Sequence, residues 1–382
     1  MTVLADSQKT GAVQAAERLL AARAGSPVSL AEPSDLGGSG RTQVLRVRVA
    51  KNPFSGDRTL VIKVLGDGDT GSGASFYREV ASYKYANALP TESRPGPALI
   101  AFDLASRVLV LSDLGDGRSM TELLRTKDTA AVGNSVSAWG QALGRMHSAT
   151  VGGENDFAAL LRQGADGIAV DALRSQFEAA VDSAPKVVTE MLGLTLDPSV
   201  REALAAARDL FGEGDHRAFS PSDVGPENIL INDDGVRFLD YEWGGFRDAT
   251  LDIAYALVTF APWLSPSSAA ARVDLETLML DAWRSEVQAI WPSLGSDREL
   301  ARKAVLARLA WVWLSTMWML PIDDTDVGRA DEAHGLALST SDPRVIVDRW
   351  SALADAARRA DEPALAGFSD SVGQALDSSW LH

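Results

Sequence analysis

The segment Val13 to Ala24 is rich in Ala, Leu, Glu and Arg, and reads as a short helix that Gly25-Ser26-Pro27 stops. From Leu36 to Leu111 short β-branched runs alternate with turn signals. Val44 to Val49 and Leu60 to Leu65 read as strands around a turn at Ser55-Gly56-Asp57, and Ala98 to Phe102 and Val108 to Leu111 as two more. Between them, Ala74 to Leu89 has helical spacing, with Phe76, Val80 and Tyr83 on one face. This pattern predicts a small, mainly antiparallel sheet carrying one helix. In Ser112-Asp113-Leu114-Gly115-Asp116-Gly117, two glycines and two aspartates mark a flexible hinge. Beyond it the text is helical to the end, apart from a hairpin between Asn228 and Asp240. The expected plan is α+β and bilobal: an N-terminal lobe over 1–111 with its leading helix, a hinge over 112–117, a helical C-terminal lobe over 118–382, and a cleft between the lobes.

A chain of 382 residues suits two lobes better than one simple core. The absence of cysteine excludes disulfides and thiolate metal sites, and four histidines make a His-rich metal site a poor expectation. A formal net charge of -16, from 52 acidic and 36 basic residues, argues against nucleic acid or an anionic membrane as partner. It suits a cationic small molecule, and equally suits a merely soluble acidic protein. Met1 to Gly11 has no apolar core or cleavage pattern, so a cytoplasmic location is expected. The apolar run Leu309 to Ile322 is too short to span a bilayer and reads as a buried helix.

The hairpin carries the candidate chemistry. Ile229-Leu230-Ile231 is an apolar strand, Asp234-Gly235 a tight-turn signal, and Val236 to Leu239 the returning strand. Asn228 and Asp240 each lie six residues from Asp234, so the expected register sets them nearly opposite one another. An amide oxygen and a carboxylate in that arrangement suit one Mg²⁺ that takes its remaining ligands from phosphate oxygens and water. Asp223 lies five residues before Asn228. An Asp–x–x–x–x–Asn loop followed by a metal-binding Asp is the arrangement of kinase catalytic loops, with the first Asp accepting the proton of the acceptor hydroxyl. The alternative is a polar hairpin whose Asn and Asp are caps and turn residues. The symmetric hairpin and its terminal Asp favour the catalytic reading.

A phosphate cover and a lysine are the other parts such a site needs. Leu36-Gly37-Gly38-Ser39-Gly40 precedes the first strand, and Gly38, Ser39 and Gly40 would let backbone N–H groups approach phosphates. Lys63 ends the strand residues Leu60-Val61-Ile62 and shares a face with Val61, where a charge needs a partner. Glu79, mid-helix and sixteen residues on, would supply it; by itself Glu79 would read as a solvated helix residue. The order of these parts is that of a kinase.

At this point the chain resembles the aminoglycoside phosphotransferase and choline kinase superfamily of small-molecule kinases, from about Leu36 to Ala254. Gln141-Ala142-Leu143-Gly144-Arg145-Met146-His147 is similar to a family helix ending in Leu-His, and Asp240-Tyr241-Glu242-Trp243-Gly244-Gly245-Phe246-Arg247-Asp248 with Leu251-Asp252-Ile253-Ala254 to its metal-binding segment and following helix. The resemblance implies a protein-kinase-like fold and transfer of the ATP γ-phosphate, with Mg and with GTP as the other donor, to a small hydroxylated molecule such as an aminoglycoside, amino sugar or amino alcohol. It implies that Lys63 binds the α/β-phosphates, Glu79 positions it, Ser112 to Leu114 meet the adenine, Asn228 and Asp240 hold Mg²⁺, and His147 is a packed core residue. Glu242 would either assist the metal or be a helix-leading or salt-bridged residue. The family usually writes His-Gly-Asp where this chain has Pro221-Ser222-Asp223, so the loop needs other support, with Ser220 or Ser222 as its source. A protein kinase fits less well: Gly225 stands where those enzymes carry a lysine, Ala-Pro-Glu is absent, and a spacing of twelve positions from Asp240 to Asp252 leaves no room for an activation loop. On the acceptor side, Trp311, Trp313 and Trp318 read as core, Asp323-Asp324-Thr325-Asp326 as an acidic turn, and Trp243 as the better candidate for the cleft wall. The competing function is a nucleotide-binding regulatory pseudokinase without transfer activity.

Overall fold

The computed structural model describes residues 6–38, 42–51, 58–66, 73–163, 171–320 and 336–381. They divide into two compact units. Unit 1 comprises the described parts of Met1–Asp116 and Asp156–Ala169, together with Arg237–Trp243. Its sheet has the order β1-β2-β3-β5-β4 and every pairing is antiparallel: β1 (Ser29–Gly37), β2 (Thr42–Lys51), β3 (Thr59–Leu65), β4 (Leu99–Asp103) and β5 (Val108–Ser112). The four expected strands are present, three with slightly wider bounds and the one expected at Ala98 to Phe102 shifted by one residue. β1 was not expected from the sequence. Only Leu30 of its residues is buried, Glu32 sits at φ 56 and its register against β2 is broken repeatedly, so no period-2 pattern marks it. The expected turn at Ser55-Gly56-Asp57 lies outside the described residues.

Both faces of this sheet are covered. Leu45 and Val47 of β2, Leu60 and Ile62 of β3, and Val108 and Val110 of β5 pack with Ala12, Ala15, Ala16 and Leu20 of the leading helix α1 (Asp6–Ala24). Alternation then turns Lys63 to the opposite face, that of helix α2 (Gly73–Asn87). The Asn87 side chain closes the end of α2 onto β4: its Nδ2 donates to the Leu99 carbonyl at 2.8 Å and its Oδ1 accepts from the Leu99 N–H at 3.0 Å. Phe76, Val80 and Tyr83 are buried as the helical spacing predicted.

Unit 2 comprises the described parts of Gly117–Asn155, Val170–Val236 and Gly244–His382 and is mainly helical. Arg217–Ser220 pairs antiparallel with Gly245–Asp248, Ser220 opposite Gly245. The strand Ile229–Asn232 pairs with Arg118–Ser119 and leads into the return strand Gly235–Phe238. The turn lies at Asp233-Asp234, not at Asp234-Gly235. Asn232 Oδ1 accepts the Asp234 N–H at 3.0 Å, and Gly235, at φ 100, opens the return strand in a conformation that suits glycine. The hairpin is therefore not symmetric about Asp234. The helix Thr129–Thr150 is capped by Asp128, whose side chain accepts from the N–H groups of Ala130 and Ala131 at 3.1 Å. It lies close against Arg272–Val287, because a Cβ on Gly140 would come within 2.4 Å of the Met279 carbonyl oxygen and one on Gly144 within 2.9 Å of that of Trp283. The helix Asp297–Met319 is buried along most of its length. Its Trp311 Nε1 donates to the Leu251 carbonyl at 2.8 Å and its Trp313 Nε1 to that of Ala180 at 2.9 Å, so the aromatic stripe is core. The acidic turn at Asp323-Asp324-Thr325-Asp326 lies outside the described residues. Among the described residues no helix is long and apolar enough to cross a membrane.

Candidate active site

In unit 1 the expected lysine and glutamate meet. Lys63 Nζ donates to Glu79 Oε1 at 2.7 Å and to Asp240 Oδ1 at 2.6 Å. Lys63 is 7% exposed and Glu79 3%. Asp240 takes φ 58, an uncommon conformation for a side-chain-bearing residue that a short carboxylate tolerates best. The segment Arg237–Trp243 is fastened to the rest of unit 1 on both sides of Asp240. The Phe238 N–H donates to the Pro95 carbonyl at 2.8 Å, and the Tyr241 ring stacks on Tyr83 of α2 with centroids 4.8 Å apart. Glu242 completes the cluster: ligand oxygens of Glu79, Asp240 and Glu242 all lie within 4.8 Å of one another, and Glu242 Oε1 accepts from Trp243 Nε1 at 3.1 Å.

The cluster holds three carboxyl groups and one ammonium. Burial works against the charge on Lys63, but the carboxylates of Asp240, Glu79 and Glu242 outweigh it and hold its pKa well above the ordinary value. Burial also drives Glu79 upward, to about 8; Lys63 pulls the other way, and Asp240 and Glu242 add to the rise. Fully ionised, the cluster would carry two negative charges in excess. Oxygen ligands with that charge balance fit a hard divalent cation such as Mg²⁺, and the lysine fits a phosphate oxygen.

The connector beyond β5 is held by β2. Arg46 Nε lies 2.9 Å from Asp113 Oδ2, its Nη2 donates to Asp113 Oδ1 and to the Gly115 carbonyl, each at 3.0 Å, and its Nη1 donates to Asp116 Oδ1 at 2.8 Å. The two aspartates that marked the hinge are thus ligands of one guanidinium, a role that the turn-like sequence does not reveal. Ser112 Oγ accepts from the Ala98 N–H at 2.8 Å, and Leu114 is half-buried. Gly38 sits at φ 146; Ser39 and Gly40 lie outside the described residues.

In unit 2 the candidate base, Asp223, follows the strand Arg217–Ser220. Ser222 takes φ 70 and the Asp223 N–H donates to the Pro221 carbonyl at 3.0 Å, closing a tight three-residue turn. Asp223 is 2% exposed and its carboxylate is met by donors. Tyr255 Oη donates to Oδ1 at 2.6 Å, the Ala337 N–H donates to Oδ1 at 3.1 Å, and Asn228 Nδ2 donates to Oδ2 at 2.6 Å. With its Nδ2 on Asp223, the Asn228 amide has Oδ1 to offer a cation. Sequence reasoning missed Tyr255 and Ala337, which lie 32 and 114 residues from Asp223. Tyr255 stands within the apolar text of the helix Thr250–Thr259, where only its hydroxyl hints at a polar partner.

Beneath the loop runs a buried hydrogen-bond chain. Trp283 Nε1 can only donate, and it points at His147 Nδ1 from 2.9 Å, which places the ring proton on Nε2. His147 Nε2 donates to Asp252 Oδ2 at 3.1 Å, and Ser220 Oγ donates to Asp252 Oδ1 at 2.5 Å. Having spent its proton, Ser220 accepts from Ser222 Oγ at 3.0 Å, and Ser222 accepts from Arg247 Nη1. Arg247 Nη2 donates to both oxygens of Asp171, at 2.8 and 2.7 Å. Both serines flanking Pro221 therefore support the loop, and His147 is a fully buried structural residue, as the resemblance implied.

Comparison of the whole structure with solved ones bears on the fold. Choline kinase from Cryptosporidium parvum Iowa II is similar over 89% of this chain and 93% of its own, with a TM-score of 0.50 and 11% sequence identity. The chain has a choline kinase-like fold. A Plasmodium vivax ethanolamine kinase matches 84% of this chain and 82% of its own at TM-score 0.47 and 13% identity. A choline/ethanolamine kinase family protein from Mesorhizobium loti matches 91% and 93% at 0.46 and 15%. No protein-family model matches the sequence, and no curated protein matches it.

Proposed function

We propose that the protein is a Mg·ATP-dependent phosphotransferase that moves the γ-phosphate to a hydroxyl of a small molecule, with an aminoglycoside, amino sugar or amino alcohol as the acceptor class. The observation that carries this reading is the buried Lys63 between Glu79 and Asp240, at 2.7 and 2.6 Å, with Glu242 beside them. A purely structural ion pair needs one carboxylate for one lysine; three carboxyl groups leave a charge excess that a divalent cation offsets. Lys63 takes the α/β-phosphates and Glu79 holds its ammonium in place. Asp240 and Asn228 are the metal ligands, and Glu242 lies close enough to Asp240 to assist. Bound Mg²⁺ supplies neutralisation of phosphate charge. Asp223 accepts a hydrogen bond from the acceptor hydroxyl and takes its proton, its carboxylate held by donors that keep it oriented. Ser112 to Leu114 meet the base of ATP, or of GTP in its place, on a connector that Arg46 fixes. The net charge of -16 supports a cationic acceptor. Choline kinase and ethanolamine kinase, by their names, act on such molecules.

The near-complete burial of Asp223 favours a second reading, a nucleotide-binding regulatory pseudokinase. One experiment separates the two: Mg-dependent ATP consumption with a panel of aminoglycosides, amino sugars, choline-like alcohols, homoserine-like amino acids and macrolides, alongside calorimetry of ATP binding. Acceptor-stimulated turnover supports the kinase. ATP and Mg²⁺ binding without transfer to any acceptor supports the pseudokinase.

A further inference from the structure

Asp223 is approached from a direction that neither the hairpin nor its own loop explains. Tyr255 Oη, fully buried in the helix Thr250–Thr259, donates its single proton to Asp223 Oδ1 at 2.6 Å. Tyr255 Oη itself accepts the Leu338 N–H at 2.9 Å. Leu338 in turn offers its carbonyl to Arg349 Nη1 at 2.8 Å, and Arg349 is itself 5% exposed. The neighbouring Ala337 N–H donates to the same Asp223 Oδ1 at 3.1 Å. The Tyr255 ring is held by an edge-to-face contact with Trp311, centroids 5.0 Å apart, and Trp311 is tied by its own N–H to the Leu251 carbonyl. Leu336 and Leu338 are buried on either side of Ala337, which seats this short segment firmly.

With Asp223 ionised, as the base of the proposed reaction must be, its carboxylate only accepts, so the Tyr255 hydroxyl donates to it and the hydroxyl oxygen accepts the Leu338 amide. Tyr255 thereby links two things that the reaction needs to hold together: the direction in which Oδ1 of the base points, and the position of the backbone at 336–338. A phenylalanine here would fill the same volume and keep the Trp311 contact, yet it would leave the base with one donor fewer and the Leu338 N–H buried without its acceptor.

We propose that Tyr255 is a positioning residue for phosphoryl transfer, fixing the Asp223 carboxylate and, through Leu338 and Arg349, the segment 336–338 against it. This inference rests on the kinase reading above. Tyr255 does not touch the reacting atoms; it acts through Asp223.

The test compares wild type, Tyr255→Phe and Tyr255→Leu by ATP turnover with the best acceptor of the panel and by amide hydrogen exchange at Ala337 and Leu338. Loss of a hydrogen bond to a charged group should lower kcat by about ten- to a hundredfold in Tyr255→Phe. The KM for ATP should stay within about twofold, because uniform binding is untouched. The Leu338 amide should exchange at least about tenfold faster. Tyr255→Leu, which also loses the ring packing, should melt lower than Tyr255→Phe and yet show the same kcat per folded molecule. A kcat that follows melting temperature across the two variants assigns Tyr255 to packing and overturns the inference. An active wild type with an equally active Tyr255→Phe overturns it alone. A wild type inactive with every acceptor overturns the kinase reading and this inference with it.

Discussion

Replacing Lys63 with methionine removes its ammonium from the Glu79–Asp240–Glu242 cluster while keeping most of the length of the side chain. The consequence depends on pH, and the structure sets the direction. Glu79 is pushed up to about 8 by burial, against an ordinary value of 4.5. A carboxyl whose pKa is raised in the fold binds more protons folded than unfolded between those two values, so its ionisation makes the wild type less stable as pH rises from about 4.5 to about 8. Without Lys63 the Glu79 pKa moves higher still, because the charge that pulled it down has gone. Below pH 8 Glu79 is mostly neutral in both proteins, and the variant loses chiefly its ammonium hydrogen bonds, about 1–3 kcal/mol. The Asp240 carboxylate, the strongest of the charges that keep Lys63 protonated, shares in that loss, reduced by solvent screening because its side chain is 35% exposed. Above pH 8 the wild type ionises Glu79 beside an ammonium and the variant does not, so the stability gap should widen by about 1.4 kcal/mol per pH unit. Lys63, held well above its ordinary value, stays charged across that window. Urea unfolding of both proteins without Mg²⁺ from pH 6.5 to 9.5 reads the gap directly. A gap that is constant or narrows as pH rises would refute the reasoning.

Two further substitutions probe how unit 1 presents the cluster and the connector. Arg46→Ala frees Asp113, Gly115 and Asp116 together, and should raise the KM for ATP about three- to tenfold with kcat nearly unchanged, at a stability cost of about 1–3 kcal/mol that comes from the nearly buried Asp113 carboxylate and not from the exposed Asp116; steady-state kinetics and a thermal melt check both. Gly96→Ala would place a Cβ 2.4 Å from Tyr241 Oη and 2.8 Å from its Cζ, so the Tyr83–Tyr241 stack must shift. Calorimetric unfolding should show a loss of about 1–3 kcal/mol, and Mg-dependent ATP binding should weaken because Asp240 is the residue before Tyr241.

Much of this was legible because the relevant signals are local. The β3 alternation put Lys63 on the face away from Leu60 and Ile62, and helical spacing put Phe76, Val80 and Tyr83 on the buried side of α2; each follows from a run of a few residues, whereas Glu79, which alone reads as a solvated helix residue, was picked out only by the order of the kinase-like parts. The hairpin strands were equally clear, but the turn position was not, because Asn232 decides it by capping Asp234 through its side chain, a choice that competes closely with an Asp-Gly turn. β1 escaped notice because an exposed, bulged edge strand buries too little to impose a period. The partners of Asp223 escaped for another reason. Tyr255 reads as one more apolar helix residue, and Ala337 contributes only a backbone amide, which carries no sequence signature. Arg46 likewise sits in a plain alternating strand and reaches a connector some 70 residues away. Support for the loop at Pro221 was expected from Ser220 or Ser222, and both are engaged, but the path through Asp252 to His147 and Trp283 needed coordinates.

The central claim is that Asp223 is the base of a phosphoryl transfer for which Lys63 and Asp240 hold the nucleotide and its metal. The isosteric Asp223→Asn enzyme tests it most directly, assayed for γ-phosphate transfer to the best acceptor and, in parallel, for Mg·ATP binding by calorimetry. The account predicts ATP affinity close to wild type and kcat lower by about 10²–10⁴-fold, the contribution of a positioned general base. Full turnover in Asp223→Asn would contradict it.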